Sequence, residues 1–188
     1  MQAYRAIVTK RDTRVFDARP LPDDMLARIV NAGRMAGSAK AAQPVRLIVV
    51  RDQSQKDALA VCGRFTPHVP TCAAAVALVL VPEEGQPLGQ FALFRGPFDA
   101  GRAAQNMMVA AWAEGVASCP ASMHDEECAR LVLGLPEGHL VINVIAFGYP
   151  SGVDPTTGQR PRMPVEGYVS YDRWGGQTSP GAESAPSP

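Results

Sequence analysis

An α+β fold, a mixed β-sheet flanked by helices, is what this sequence predicts, and three observations predict it. Residues 45–51, 73–81 and 140–147 are short runs dominated by Val, Ile, Leu and Ala, the signature of strands buried in a core. Residues 99–115 form a long Ala- and Met-rich stretch, apolar on almost every face, which must be a buried helix. The order helix, helix, strand, helix, strand, long helix, helix, strand leaves connections longer than hairpins, so the helices must pack against the sheet as a sandwich.

Each element has a local reason. Residues 4–9 are a short mixed segment, read as a helix that delivers the cations Lys10, Arg11 and Arg14. Asp23 suits an N-cap and Asp24 a first turn, where carboxylates complement the helix dipole. Leu26, Ile29, Val30 and Gly33 then fall at helical spacing, and a loop, 38–44, follows. The strand 45–51 is read as buried on both faces, 53–62 as a surface helix, 66–70 as a Pro-bounded turn and 73–81 as a second buried strand. Residues 83–89 are a flexible connection. Asp99 is placed at the N-cap of the long helix and Gly115 at its C′ position. A loop over 118–123, a helix over 125–134 stopped by Gly134 and Pro136, and a third buried strand over 140–147 complete the body. Residues 151–176 read as an extended arm, and 177–188, rich in Ser, Pro, Gly and Ala, as a disordered tail.

At 188 residues the chain is expected to be one domain over 1–176. Its 18 basic and 18 acidic residues balance, which argues against nucleic acid or an anionic membrane as a bulk electrostatic partner. The first ten residues have no secretory pattern, and the longest apolar run, 73–81, is too short for a bilayer, so a soluble cytoplasmic protein is expected. Cys62, Cys72, Cys119 and Cys128 lack the spacing of a metal site and are expected to be reduced thiols. His68, His124 and His139 are scattered, and no metal site is expected.

The nucleotide loops with recognisable glycine patterns are missing, as is a G-x-S-x-G elbow. Cys119 and His124 lack a third group to orient them, so they do not make a nucleophilic pair. The cluster over 10–16 stays open on its own: three cations within five residues suit either a solvated turn or a phosphate.

Several motifs taken together, however, resemble the nitroreductase family of FMN-dependent flavoproteins. Residues 10–16 (KRDTRVF) resemble its basic opening R-R-[SD]-x-R-x-F. Residues 37–45 (GSAKAAQPV) resemble its loop A-P-S-S-x-N-x-Q-P-W, and 99–106 (DAGRAAQN) its central helix D-x-G-x-A-x-Q-N. Residues 146–150 (AFGYP) resemble its closing G-Y-P turn, and 160–164 (RPRMP) its late basic pair. The resemblance implies a domain-swapped homodimer with FMN at the subunit interface, reduced by NAD(P)H and reoxidised by an electron-poor small molecule such as a nitroaromatic or quinone, hydride passing through flavin N5 in alternating half-reactions. It implies that Lys10, Arg11, Arg160 and Arg162 hold the ribityl phosphate, with Asp12 close by, and that Arg14 approaches the N1–C2 edge of the flavin. It places Pro120, Ala121 and Ser122 along the isoalloxazine, and Ser38, Ala39 and Ala41 of the other subunit against it, with 151–176 as an arm onto the partner.

Three residues depart from the pattern: Ala41 stands for the usual Asn, Val45 for Trp, and Asp12 for the commoner Ser. Asp12 is expected to pair with Arg14 or Arg11, or to accept a ribityl hydroxyl. The departures leave two other readings: a dimer with a sensing or scaffold role, with or without flavin, and a flavin-fragmenting enzyme that makes dimethylbenzimidazole.

Overall fold

The computed structural model describes residues 2–83, 87–152 and 161–176. They fall into two compact units, Met1–Thr157 and Gly158–Pro188. In the first, α1 (Ala3–Thr9) and α2 (Asp23–Arg34) precede β1 (Val45–Val50), α3 (Gln53–Val61) and β2 (Ala74–Leu80). Then come α4 (Gln90–Ala113), β3 (Ala117–Ala121), α5 (Glu126–Val132) and β4 (Leu140–Gly148). The strands form one sheet in the order β1-β2-β4-β3, antiparallel throughout. The parallel component of the expected mixed sheet is confined, among the described residues, to an isolated Asp12–Ser118 bridge.

Alternation along β2 explains the layering. Ala74, Val76 and Leu78 join Leu26, Ile29, Met107, Ala111, Ile145 and Phe147 in a core beneath α2 and α4. Ala75, Ala77 and Val79 join Leu59, Val69, Ala129, Val144 and Ala146 in a second core beneath α3 and α5. Every residue of β2 is buried because both faces of this inner strand are covered. At about 25 cal/mol per Å2 of apolar surface, such double coverage is what holds the sandwich together.

Five expectations change. First, β1 is an edge strand with Val49 exposed, not a strand buried on both faces; hydropathy records apolar side chains but not which strand ends at a margin. Second, α4 begins at Gln90, so Asp99 lies inside the helix and does not cap it. Gly115 does take the predicted C′ position, with φ +79° and a Val116 N–H bond to the Ala111 carbonyl. Third, 117–121 is a strand where a loop was expected. Its small residues and Pro120 have weak strand propensity, and only its place at the sheet margin tolerates a proline there. Fourth, Cys62 and Cys128 form a disulfide, S–S 1.99 Å, so two of the four expected thiols are paired; spacing in sequence could not reveal it, because α3 and α5 meet only through the fold. Cys72 and Cys119 are buried free thiols. Fifth, Asp23, expected to cap α2, is its first residue, behind Pro22.

The second unit contains the four-residue helix α6 (Val165–Tyr168), a helical turn within the expected extended arm. Its aromatic residues Tyr168 and Trp174 are exposed. Of the flexible connection, residues 84–86 lie outside the described residues, as does the tail 177–188.

Candidate functional site

Residues 10–16 leave α1 and run along the β3 margin. Thr13 N–H donates to the Ser118 carbonyl at 3.1 Å, and Asp17 N–H to the Tyr149 carbonyl at 2.9 Å. Phe16 bridges Pro150 and packs on Gly148, where a Cβ would stand 2.9 Å from the Phe16 ring. The alternation of the segment decides its chemistry: Thr13 and Phe16 are buried anchors, while Asp12 and Arg14 point outward.

The cluster does not remain a set of solvated cations. Lys10, whose side chain is 10% exposed, pairs with Asp12, and its Nζ also lies 3.5 Å from Met108 Sδ of α4. Asp12 thus has a partner besides the expected Arg14, Arg11 or ribityl hydroxyl, namely Lys10; two residues apart on an extended segment, the two side chains share a side. Arg11 donates to the carbonyls of Val8 at 3.0 Å and Lys10 at 2.8 Å, the carbonyls α1 leaves open at its end.

Behind this segment the fold buries polar atoms without partners. Ser118 Oγ is buried and makes no hydrogen bond. His68, 1% exposed at the turn before β2, has no hydrogen-bond partner at either ring nitrogen. Burial holds its pKa below the ordinary 6.5, and the Arg14 guanidinium pushes the same way, against the Pro120 and Cys119 carbonyls and the Asp12 carboxylate, which favour the charged ring. His68 thus lies within electrostatic reach of Asp12 and Arg14 and near the 119–120 backbone. Sequence reading missed it, because a lone His between two prolines carries no motif; the signal is its burial, which only the fold supplies.

Of the residues 120–122, Pro120 and Ser122 are exposed and Ala121 faces the α3–α5 core. The chain beyond them is anchored by His124 and Asp125 N–H bonds to the Cys62 carbonyl at 3.0 and 2.9 Å, next to the disulfide.

Ser38, Ala39 and Ala41 lie at the other margin, in the loop that enters β1. Ser38 Oγ accepts from Gln43 N–H at 2.9 Å, and the buried Asp99 carboxylate accepts from Ala39 N–H at 3.3 Å. Between these ties Lys40, Ala41 and Gln43 adopt φ of +53°, +54° and +47°. Left-handed backbone costs roughly 1–2 kcal/mol per non-glycine residue, so three in four residues is stored strain. Cavities flank the loop. One of about 640 Å3 includes Lys40, Arg46, Arg95 and Asp99 in its wall; another of about 340 Å3 includes Ser38, Val45 and Ala103.

The chain therefore brings Lys10, Arg11, Asp12, Arg14 and 120–122 to one margin, and Ser38, Ala39 and Ala41 to the opposite one, three inter-strand steps of about 4.8 Å away. Arg162 is exposed in the second unit, and Arg160 lies outside the described residues. Among the described residues no cluster of His, Cys, Asp and Glu could hold a metal ion.

A sequence model of the nitroreductase family matches residues 7–98 and 73–149. A protein of Archaeoglobus fulgidus provisionally described as an NADH dehydrogenase/NAD(P)H nitroreductase is 28% identical over 79% of this chain and 86% of its own. An NADPH-flavin oxidoreductase of Vibrio harveyi is 25% identical over 89% of this chain and 72% of its own. The solved structure of the NADPH:FMN oxidoreductase from Vibrio harveyi complexed with NAD+ superposes with a TM-score of 0.84 at 24% identity, over 91% of this chain and 77% of that one.

Proposed function

This chain belongs to the nitroreductase family, and from that premise we propose that it is an FMN-dependent NAD(P)H oxidoreductase acting on nitroaromatic, quinone or similar electron-poor acceptors. The observation that carries the reading is the β3 margin: a basic segment hydrogen-bonded beside a strand, with the buried Ser118 Oγ and both His68 nitrogens unsatisfied behind it. Cations gathered along one strand margin suit an anionic, phosphate-bearing ligand. The residues fit a phosphate-bearing flavin. Bound FMN would supply the chemistry, accepting hydride from NAD(P)H and passing reducing equivalents to the acceptor.

The chain's own groups bind and orient. Lys10 has three N–H donors, so pairing with Asp12 leaves it able to hold a phosphate oxygen. Arg11 holds the end of α1 and so aims Lys10. Arg14 would set a positive charge at the pyrimidine edge, which favours added negative charge on the ring. Pro120 and Ser122, joined by the Ala121 backbone, would form a wall held by the strand.

The second half, Ser38, Ala39 and Ala41, would come from a partner copy. Support for a dimer lies in α1, which exposes Tyr4, Ile7 and Val8, and in the outward face of α4, where Val109, Ala110 and Ala113 are only partly buried. The arm 151–176 would reach the partner. None of the helices is long and apolar enough to cross a membrane among the described residues, and we place the protein in the cytoplasm, where thiol reductants would act on the Cys62–Cys128 pair.

The test is an absorption spectrum with anaerobic titration. Added FMN should bind with quenched fluorescence and bleach on NADH or NADPH. A protein that neither quenches FMN nor is stabilised by it sinks the proposal, and one that binds FMN but is never bleached favours the sensing or scaffold reading.

A further inference from the structure

The junction of α3 and α5 carries a feature that the flavin reading does not use. Cys62, the C-cap of α3, is covalently bound to Cys128 near the start of α5. In a reducing compartment such a bridge is usually transient, serving catalysis or redox sensing. Its two sulfurs differ in access. Cys62 is 1% exposed, whereas Cys128 is only partly buried against the α3–α5 core. A thiolate arriving from solution therefore reaches Cys128 Sγ first, with Cys62 as the leaving group.

What the bridge holds is the chain just beyond β3. The Cys62 carbonyl accepts from the N–H groups of His124 and Asp125 at 3.0 and 2.9 Å. The Asp125 carboxylate accepts in turn from Cys128 N–H at 2.9 Å, so hydrogen bonds and the S–S bond close one ring around the start of α5. The residues after Cys62 bear on the same segment. Arg64 N–H donates to His124 Nδ1 at 3.2 Å, and the Phe65 and His124 rings meet edge-on with centroids 6.0 Å apart. A Cβ on Gly63 would stand 2.8 Å from the Ser122 carbonyl. Ser122, assigned above to the flavin wall, is thus placed from the end of α3. Ser122, His124 and Asp125 are all exposed, and each hydrogen bond there exchanges with water at small net gain. With the bridge open, the remaining ties are of the kind that local fluctuations break first.

We propose that Cys62–Cys128 is a thiol–disulfide exchange site that controls the flavin wall: a dithiol opens it at Cys128, and the opened form loosens Ser122 and weakens FMN binding. The proposal rests on the oxidoreductase reading above and deepens it by giving that site a redox control. In the first step the attacking thiolate bonds to Cys128 Sγ, the S–S bond breaks, and Cys62 leaves as a thiolate that takes up the proton lost by the attacking thiol. The second thiol of the dithiol then attacks its own partner sulfur in the mixed disulfide, and Cys128 leaves and is protonated in the same way. The protein gains two electrons and two protons, and the dithiol ends as a disulfide. A small-molecule disulfide reverses the same steps.

Wild-type protein equilibrated in air is compared with protein equilibrated in the dark with dithiothreitol. Alkylation with mass spectrometry counts the thiols, and far-UV circular dichroism reports the fold. After unfolding, the bridged form should offer two cysteines to alkylation and the opened form four. In a fluorescence titration the FMN Kd should rise roughly fivefold or more on opening, the low end of couplings between linked sites. By reciprocity, saturating FMN should raise by the same factor the ratio of reduced to oxidised dithiothreitol that opens half the bridges. Cys128→Ser should bind FMN as the opened form does and ignore dithiothreitol, and Cys62→Ser gives the same test if that variant misfolds. The proposal is overturned by equal FMN affinity in the two forms, by an opening ratio indifferent to FMN, or by four alkylated cysteines in the air-equilibrated protein. Loss of the helical signal on opening overturns it too, since the bridge would then staple the whole fold. FMN bound equally by both forms refutes only this inference, whereas FMN bound by neither refutes the function on which it rests.

Discussion

At the β3 margin Lys10 and Arg11 meet neighbouring oxygens on an extended backbone, while at the β1 margin the backbone is left-handed at three residues and basic side chains line a cavity. Lys10 meets Asp12, Arg11 meets carbonyls, and 10–16 is hydrogen-bonded like an extra strand. Across the sheet, Lys40, Ala41 and Gln43 sit in left-handed backbone beside a cavity lined by Lys40, Arg46 and Arg95. A preformed margin suits a cofactor held through many turnovers. A strained loop over a cavity suits a ligand that must enter and leave, because strain is maintained only where the surroundings over-determine it. The proposed dimer brings the two kinds of margin together from different copies.

The comparison can be broken at several points. The largest effect should come from the disulfide behind the β3 margin. Cys62 and Cys128 are 66 residues apart, so opening the bridge should lower stability by about 4 kcal/mol on the loop-entropy estimate. Urea unfolding of Cys128→Ala, or of the wild type with and without dithiothreitol, measures it, and equal midpoints would show that the relaxed margin does not depend on the staple.

Lys10→Gln should weaken FMN roughly tenfold or more, since a charge-assisted hydrogen bond contributes about 1.5–3 kcal/mol. Fluorescence titration reads this, and an unchanged Kd would mean that Lys10 serves only Asp12. At the opposite margin, Asp99→Ala removes the buried acceptor of the Ala39 N–H and should cost about 1–3 kcal/mol. Its loss should also speed amide exchange over 39–43 while leaving 10–16 protected; exchange rising equally at both margins would erase the contrast.

The smallest effect concerns pH. His68 is held neutral in the folded protein, with a pKa below its ordinary 6.5, so the unfolded chain binds the proton more readily. Its contribution to stability is complete above about pH 6.5 and is lost as pH falls below that through the folded-state pKa. The urea midpoint should fall between pH 7 and 5, and His68→Phe should flatten that slope. An unchanged slope would place the acid sensitivity elsewhere.

The layered architecture and most elements were legible because they rest on local rules. The strand runs and the Gly115 stop depend on a few consecutive residues. β3 was not legible, since small residues and a proline become a strand only when β4 offers a partner. The start of α4 was hidden by Pro97 and by Asp99, which resembles a cap yet serves the distant Ala39. The cations at 10, 11 and 14 were visible, but their engagement was not.

By itself the sequence determined the helices and inner strands, the basic segment and the family motifs, because spacing, caps and residue types are properties of neighbours along the chain. Only the tertiary structure decided that Cys62 reaches Cys128, that His68 lies buried, and that Arg46 and Arg95 share a cavity. Each depends on contacts between elements that packing alone brings together, and those contacts, more than the motifs, say what the two margins of the sheet can do.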